Sequence, residues 1–221
     1  MAHRSRAARI ASVAALDDTT TRAVFDFVST AAGPVARDAA AEALGVSRRI
    51  AAAHLDKLAD QGLLSVEFRR LHDRTGPGAG RPAKLYRRTA DEVVVSVPDR
   101  RYDLAANLLA AAVTEAIDSG AGVEEIVHRT AYEAGREITA NSPDLLSALT
   151  GTGFEPHGTD TGLVLANCPF HRLARQYTDL VCGLNLHLLR GMTDGAGAPY
   201  RPALDPAPDR CCVRLLHDSN R

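Results

Sequence analysis

The sequence predicts an α+β protein that is mainly helical and divided into two domains. Its 221 residues suit one large or two small domains. With 45% hydrophobic and 24% charged residues, the composition is that of a globular protein and excludes wholesale disorder. The charge divides sharply, at +6 for residues 1–90 and −7 for residues 91–221. This asymmetry predicts two domains with different partners, and a polyanion suits the basic one.

The first ninety residues predict an arm, three helices and a β-hairpin. Residues 1–18 are basic and Ala-rich, and we expect them to form a frayed arm. We place the bounds of the other elements at hydroxyl residues, which cap helices, and at Gly and Pro, which end them. The expected elements within the domain 19–90 are a helix from Thr19–Thr21 ended by Gly33 and Pro34, a helix over Arg37–Leu44, a helix from the Ser47 cap to Gln61, and strands over Leu63–Arg69 and Lys84–Arg88 around the Gly/Pro loop 71–80.

A linker over residues 91–101 leads to a second domain, 102–221, in which helices and strands alternate as in an α/β domain. Its first helix, Tyr102–Ser119, is apolar around much of its circumference, so it must be buried in the domain or against a second copy. It is therefore the predicted dimerisation helix. The remaining expected elements are helices Val123–Ile138 and Pro143–Leu149, strands Phe154–His157 and Leu163–Asn167, a helix Phe170–Arg190 ended by Gly191, a loop 191–209 and a strand Cys211–Leu216.

The segment VARDAAAEALGVSRRIAAAHLDKLADQGLL, residues 35–64, has the pattern of two helices joined by a sharp turn at Gly45. Ala51, Leu55 and Leu58 have the spacing of one buried stripe. The opposite face, starting at the cap, predicts a DNA-reading helix made of Ser47, Arg48, Arg49, Ala52, Ala53 and Lys57. Small alanines allow close approach to a groove, and arginines near the helix N-terminus can bind guanine bidentately.

The following hairpin concentrates cations around a Gly/Pro tip, an arrangement suited to phosphates and a minor groove. The candidate DNA contacts there are Arg69, Arg70, Arg81, Lys84 and Arg87. The alternative is a protein-interaction module with a solvated charged hairpin. Residues 20–90 resemble the winged-helix domain of ArsR/MarR-like bacterial repressors, through GVSRRIAAAHLDKLADQGLL and GRPAKLYR. The resemblance implies a winged helix–turn–helix and a homodimer that binds a near-palindromic operator in double-stranded DNA.

All four cysteines lie within the last quarter of the chain, with the spacing Cys168-x13-Cys182-x28-Cys211 and Cys212 adjacent. On one continuous helix Cys168 and Cys182 would be about 20 Å apart, so a shared site needs Cys168 in a loop, which Pro169 favours. Thiolates of Cys168, Cys182 and Cys211 could hold an iron–sulfur cluster, with Cys212 or His171 as fourth ligand. Alternatives are a Cys3His zinc site, a disulfide switch, or inert buried thiols.

Residues 100–216 resemble the C-terminal sensor domain of SufR-type repressors, which carry an iron–sulfur cluster. The resemblance lies in NCPF, LVCGLN and the CCV pair, and carries over Cys168, Cys182 and Cys211. It implies a repressor whose operator affinity depends on the cluster, which is expected to be 4Fe–4S. The affinity would therefore respond to iron–sulfur status or oxidative stress. The alternative is a winged-helix regulator that senses zinc, thiol oxidation or a small organic ligand.

The sequence contains no phosphate-binding loop and no catalytic triad pattern, so we expect the protein not to be an enzyme. No run of eighteen apolar residues occurs, and the N-terminus lacks the apolar core of a secretory signal. We therefore expect a cytoplasmic protein without a membrane partner.

Overall fold

The computed structural model of the chain describes residues 5–69, 82–90 and 92–218. The fold is α+β, with about 54% helix, 16% strand and two small antiparallel sheets, which confirms the predicted class. The chain divides into two compact units, Met1–Val95 and Ser96–Arg221, and each is described by itself.

The first unit combines helices with a three-stranded antiparallel sheet in the order β1-β3-β2. Val66 of the second strand pairs with Tyr86 of the third. The described elements are α1 Arg6–Ala14, α2 Thr19–Thr30, β1 Val35–Ala36, α3 Arg37–Leu44, α4 Arg48–Asp60, β2 Leu64–Arg69 and β3 Ala83–Arg88.

Local chemistry explains where the helices of the first unit begin and end. The Asp18 carboxylate, rather than a threonine hydroxyl, caps α2 by accepting from the Thr21 N–H. Gly45 ends α3 in the left-handed region at φ 64°. The Ser47 hydroxyl then caps α4 by accepting from the Ile50 N–H. The predicted stripe of Ala51, Leu55 and Leu58 is fully buried, so α4 packs on the core with its opposite face outward.

The N-terminal segment differs from the expected frayed arm, because α1 is an ordered helix. Ser12, in the last turn of α1, is 1% exposed, and its hydroxyl donates to the Gln61 carbonyl at 2.8 Å. The Ser5 side chain caps α1 by accepting from the Ala8 N–H. The long-range bond of α1 joins it to Gln61, 49 residues along the chain, so the local sequence does not indicate that this segment is ordered.

The second unit contains five helices and a four-stranded sheet among its described residues. The strand order is β4-β5-β7-β6, and every pairing is antiparallel. The predicted α/β arrangement is therefore wrong, because neighbouring strands run in opposite directions. The elements are α5 Tyr102–Ser119, α6 Val123–Ala140, α7 Leu145–Gly151, β4 Pro156–Thr159, β5 Gly162–Leu165, α8 His171–Gln176, α9 Thr178–Gly195, β6 Tyr200–Leu204 and β7 Val213–His217.

The helix expected over residues 170–190 is two helices, α8 and α9, separated at Tyr177, whose φ and ψ are −131° and 58°. The expected stop at Gly191 is also wrong, because α9 continues to Gly195. Residues 200–204, expected as part of a loop, form β6 and pair with β7. Tertiary packing overrides local signals in each case.

Helices α6 and α9 pack with their backbones in contact, and glycines make this possible. A Cβ on Gly191 would overlap the Tyr132 carbonyl oxygen and lie 2.8 Å from the Tyr132 carbonyl carbon. A Cβ on Gly135 would overlap the Leu188 carbonyl oxygen and lie 2.8 Å from the Met192 nitrogen. Gly191 is therefore a packing residue inside the helix rather than a helix terminator.

Candidate functional site

The second unit brings its four cysteines together from three separate segments. Cys168 lies in the loop between β5 and α8, Cys182 lies on α9, and Cys211 and Cys212 immediately precede β7. Cys168, Cys182 and Cys211 are buried, with 7%, 7% and 1% exposure, and Cys212 is half-buried. The helix break at Tyr177 removes the continuous helix that would have held Cys168 and Cys182 apart.

The four thiols interact in series. Cys182 interacts with Cys212, Cys212 with Cys211, and Cys211 with Cys168. Cys168 therefore lies at one end of the series and Cys182 at the other.

The interactions among the thiols and their burial separate the pKa values of the four groups. The interaction with Cys211 lowers the pKa of Cys168, although burial opposes this effect. The interaction with Cys168, together with burial, raises the pKa of Cys211 to about 12. For Cys212 the interaction with Cys182 lowers the pKa, but the interaction with Cys211 and burial outweigh it and raise the value to about 12. The interaction with Cys212 and burial raise the pKa of Cys182.

The chemistry of this donor set fits an iron–sulfur cluster. Cysteine thiolates are the usual cluster ligands, and each iron takes its own sulfur. Among residues 5–69, 82–90 and 92–218, no group of three or more His, Cys, Asp or Glu side chains is arranged to hold one metal ion. The fourth-ligand candidates differ, since Cys212 interacts with the other thiols, whereas His171 is exposed at the first residue of α8.

Asn185 is a buried amide beside the cysteines that the sequence motifs did not indicate. Its Nδ2 donates to the Cys211 sulfur at 3.1 Å. Asn185 lies three residues after Cys182 on α9, so one helical turn places both on the same face. That spacing is the signal that could have identified it.

The Cys168 loop is hydrogen-bonded to the first residues of the second unit. Asn167, 6% exposed, donates from Nδ2 to the Asp99 carbonyl at 2.8 Å and to the Gly153 carbonyl at 2.6 Å. The Arg100 guanidinium donates to Asn167 Oδ1 and to the Cys168 carbonyl, the latter at 3.2 Å. The Arg101 N–H donates to the Pro169 carbonyl at 3.1 Å. The segment expected as a plain linker is thereby attached to the cysteine site.

In the first unit, the predicted DNA-reading residues of α4 lie on its outward face. Arg48, Arg49, Ala53 and Lys57 are exposed and Ala52 is half-buried. The Arg48 guanidinium lies 3.3 Å from the Asp38 carboxylate, an exposed ion pair that would compete weakly with a phosphate.

The hairpin candidates are two exposed arginines, one lysine with an acidic partner, and two arginines outside the described residues. Arg69 and Arg87 are exposed on β2 and β3. Lys84 instead lies 2.5 Å from the Asp56 carboxylate on α4, which also accepts a hydrogen bond from the Tyr86 hydroxyl at 2.6 Å. Lys84 therefore attaches the hairpin to α4 in the structure. Arg70 and Arg81 lie outside the described residues.

Phe68 on β2 is an exposed aromatic side chain that sequence analysis did not single out. It is 64% exposed and pairs across the hairpin with Lys84. An apolar ring at the end of a cationic hairpin adds a stacking surface to the candidate interface.

Comparison with protein-family models, with curated proteins and with solved structures finds no match for this chain. No helix within the described part of the chain is both long and apolar enough to cross a membrane.

Proposed function

We propose that the protein is a homodimeric DNA-binding transcriptional repressor whose operator affinity is controlled by an iron–sulfur cluster bound at the cysteines. The observation that carries the proposal is the meeting of four largely buried, mutually interacting thiols from three separate segments. Cys168, Cys182, Cys211 and Cys212 would hold the cluster. When bound, such a cluster supplies a redox-active iron centre tied to the protein by thiolates.

The DNA-binding part of the proposal rests on the first unit. The order of α2, α3, α4 and the hairpin supports a winged helix–turn–helix, in which α4 would be the recognition helix. Arg49 and Lys57 are exposed on α4, and Arg69 and Arg87 are exposed on the hairpin. Arginine at the start of the helix would read base edges, and the hairpin cations would bind phosphates.

The outward face of α5 is the proposed contact with a second copy. Val113 and Ile117 are 45% and 77% exposed, one helical turn apart, and Ala106 and Ala110 extend the same stripe. The inward stripe, which includes Leu108 and Ala112, is buried in the unit's core. A helix apolar on both sides is typical of one that packs against two partners, here its own domain and the partner subunit.

Coupling between the cysteines and DNA would run through the residues that precede α5. A change in position of Cys168 moves the carbonyls and amide that bond Asp99, Arg100 and Arg101. These residues follow directly on the first unit, which ends at Val95. Because a dimer binds two half-sites at a fixed spacing, a small change at this connection alters operator affinity.

The test begins with anaerobically purified protein, on which visible absorption, iron and acid-labile sulfide are measured together. We expect a broad visible absorption with iron and sulfide in equal amounts, lost in C168A, C182A, C211A and C212A but kept in H171A, the matched control. A protein that stays colourless after reconstitution with iron and sulfide contradicts the cluster. Retention in C212A with loss in H171A would instead assign the fourth ligand to His171.

DNA binding is tested separately, by selection from a random duplex pool followed by fluorescence anisotropy on the selected duplex. R49A should weaken binding by about tenfold or more, the value of a lost base contact, while R172A, an exposed arginine of the second unit, should not. The DNA-binding assignment is contradicted if no duplex sequence is selected and if binding to DNA does not depend on salt.

Thiol oxidation is the second candidate, favoured by the interaction between the Cys211 and Cys168 thiols. Hydrogen peroxide would oxidise the two thiols to a disulfide, taking up their two protons and two electrons to give two water molecules. Cluster-free protein treated with peroxide should then lose two titratable thiols. An unchanged thiol count in the wild type would exclude this candidate.

A further inference from the structure

The proposed function gives no role to Asn185, a buried polar side chain that lies beside the cysteines. It is 1% exposed, in a stretch of α9 where Leu184, Leu188 and Leu189 are completely buried. An apolar residue would satisfy this position if packing were the only requirement. The amide must therefore be explained by the polar groups that it contacts.

The two ends of the Asn185 amide have unequal surroundings. Nδ2 donates to the Cys211 sulfur at 3.1 Å. Oδ1 is buried and has no hydrogen-bond partner among the described residues. Leaving an amide oxygen unsatisfied is costly, so the orientation is explained by what the NH2 group does for the sulfur.

An N–H donor withdraws negative charge from a thiolate sulfur. Hydrogen bonds to ligand sulfurs are among the factors that set the reduction potential of iron–sulfur clusters. Reduction adds negative charge to the cluster and its thiolates, so a donor stabilises the reduced form more than the oxidised form. The direction of the effect is therefore a higher potential.

We propose that Asn185 is a positioning residue of the cysteine site that holds the Cys211 sulfur by an N–H···S hydrogen bond and raises the reduction potential of the bound cluster. The inference rests on the proposed function. It assigns Cys182 and Asn185, one turn apart on α9, to the same site. Cys182 supplies a sulfur, and Asn185 supplies a donor to the Cys211 sulfur.

The experiment is a potentiometric titration of the reconstituted protein, followed by visible absorption or electron paramagnetic resonance. N185L removes the donor at similar volume, and N185A removes it while leaving space. T193V is the matched control, since Thr193 is also 1% exposed on α9 and donates only to the Arg190 carbonyl. We expect both Asn185 variants to shift the redox equilibrium about tenfold toward the oxidised form, equivalent to about 59 mV for one electron.

Thermal melting by circular dichroism accompanies each titration, so that a folding defect is recognised independently of the potential. Lower potentials in N185L and N185A, with T193V unchanged, support the inference. Wild-type potentials in both Asn185 variants, with iron and sulfide retained, overturn it while leaving the proposed cluster intact. Absence of a cluster from reconstituted wild-type protein would overturn the proposed function itself, a result recognisable before any variant is made.

Discussion

Replacing Gly191 by alanine should destabilise the second unit through the contact between α6 and α9. The added methyl group would overlap the Tyr132 carbonyl oxygen and lie 2.8 Å from the Tyr132 carbonyl carbon and 3.1 Å from the Arg136 nitrogen. These are backbone atoms of a helix and cannot rotate away. Overpacking a core costs about 1–3 kcal/mol, and backbone on both sides places this change at the upper end. Alanine returns about 1 kcal/mol of helix propensity.

The net expectation is a loss of about 2 kcal/mol, which lowers Tm by about 8 °C for a unit of this size. Urea unfolding should show a lower midpoint at an unchanged slope. Gly151 is the control, because a Cβ there meets nothing within 4 Å and its φ is not positive. G151A should therefore gain about 0.4–1 kcal/mol. If G191A melts at or above the wild-type temperature, the backbone contact between α6 and α9 is wrong.

Three further predictions follow from other contacts. N167A should keep the bound iron and sulfide but reduce the ratio of operator affinities between cluster-loaded and cluster-free protein. That ratio is about 5–150-fold in typical coupled systems and is measured by anisotropy. An unchanged ratio contradicts the proposed coupling. Tyr86→Phe removes the donor to Asp56 and should cost about 1 kcal/mol in urea unfolding, whereas equal stability would mean that this bond contributes nothing. Burial and the stacked ring of His128 lower the pKa of His187, so the unfolded chain binds more protons than the folded chain. Stability should therefore fall as pH decreases below about 6.5. His187→Gln should flatten the dependence of Tm on pH between about pH 7.5 and 5.5, and an equally steep dependence contradicts this assignment.

Sequence was a good guide where local chemistry sets the boundary. The expected bounds of the helices Arg37–Leu44 and Tyr102–Ser119 are those observed, because Gly45 and Gly120 each end a helix in the left-handed region. Ser47 caps its helix as expected, because the requirement for an acceptor at the N-terminus is local.

Distant contacts limited the rest of the prediction. The glycine at 191 has the local pattern of a helix end, yet its role depends on Tyr132, nearly sixty residues earlier. The spacing of the cysteines indicated a shared site only if the chain folded back, and the break at Tyr177 that permits this carries no Gly or Pro. Asn167 and Arg100 form a contact between segments that no local pattern relates.

The same α9 that carries Cys182 and Asn185 is fixed against α6 by backbone contact at Gly191 and Gly135. The close backbone contact leaves no room for a side chain at either glycine, so it fixes the separation of the two helices. The side of the cysteine site that carries Cys182 and Asn185 is therefore held by helix packing, whereas Cys168 and Cys211 lie on non-helical segments.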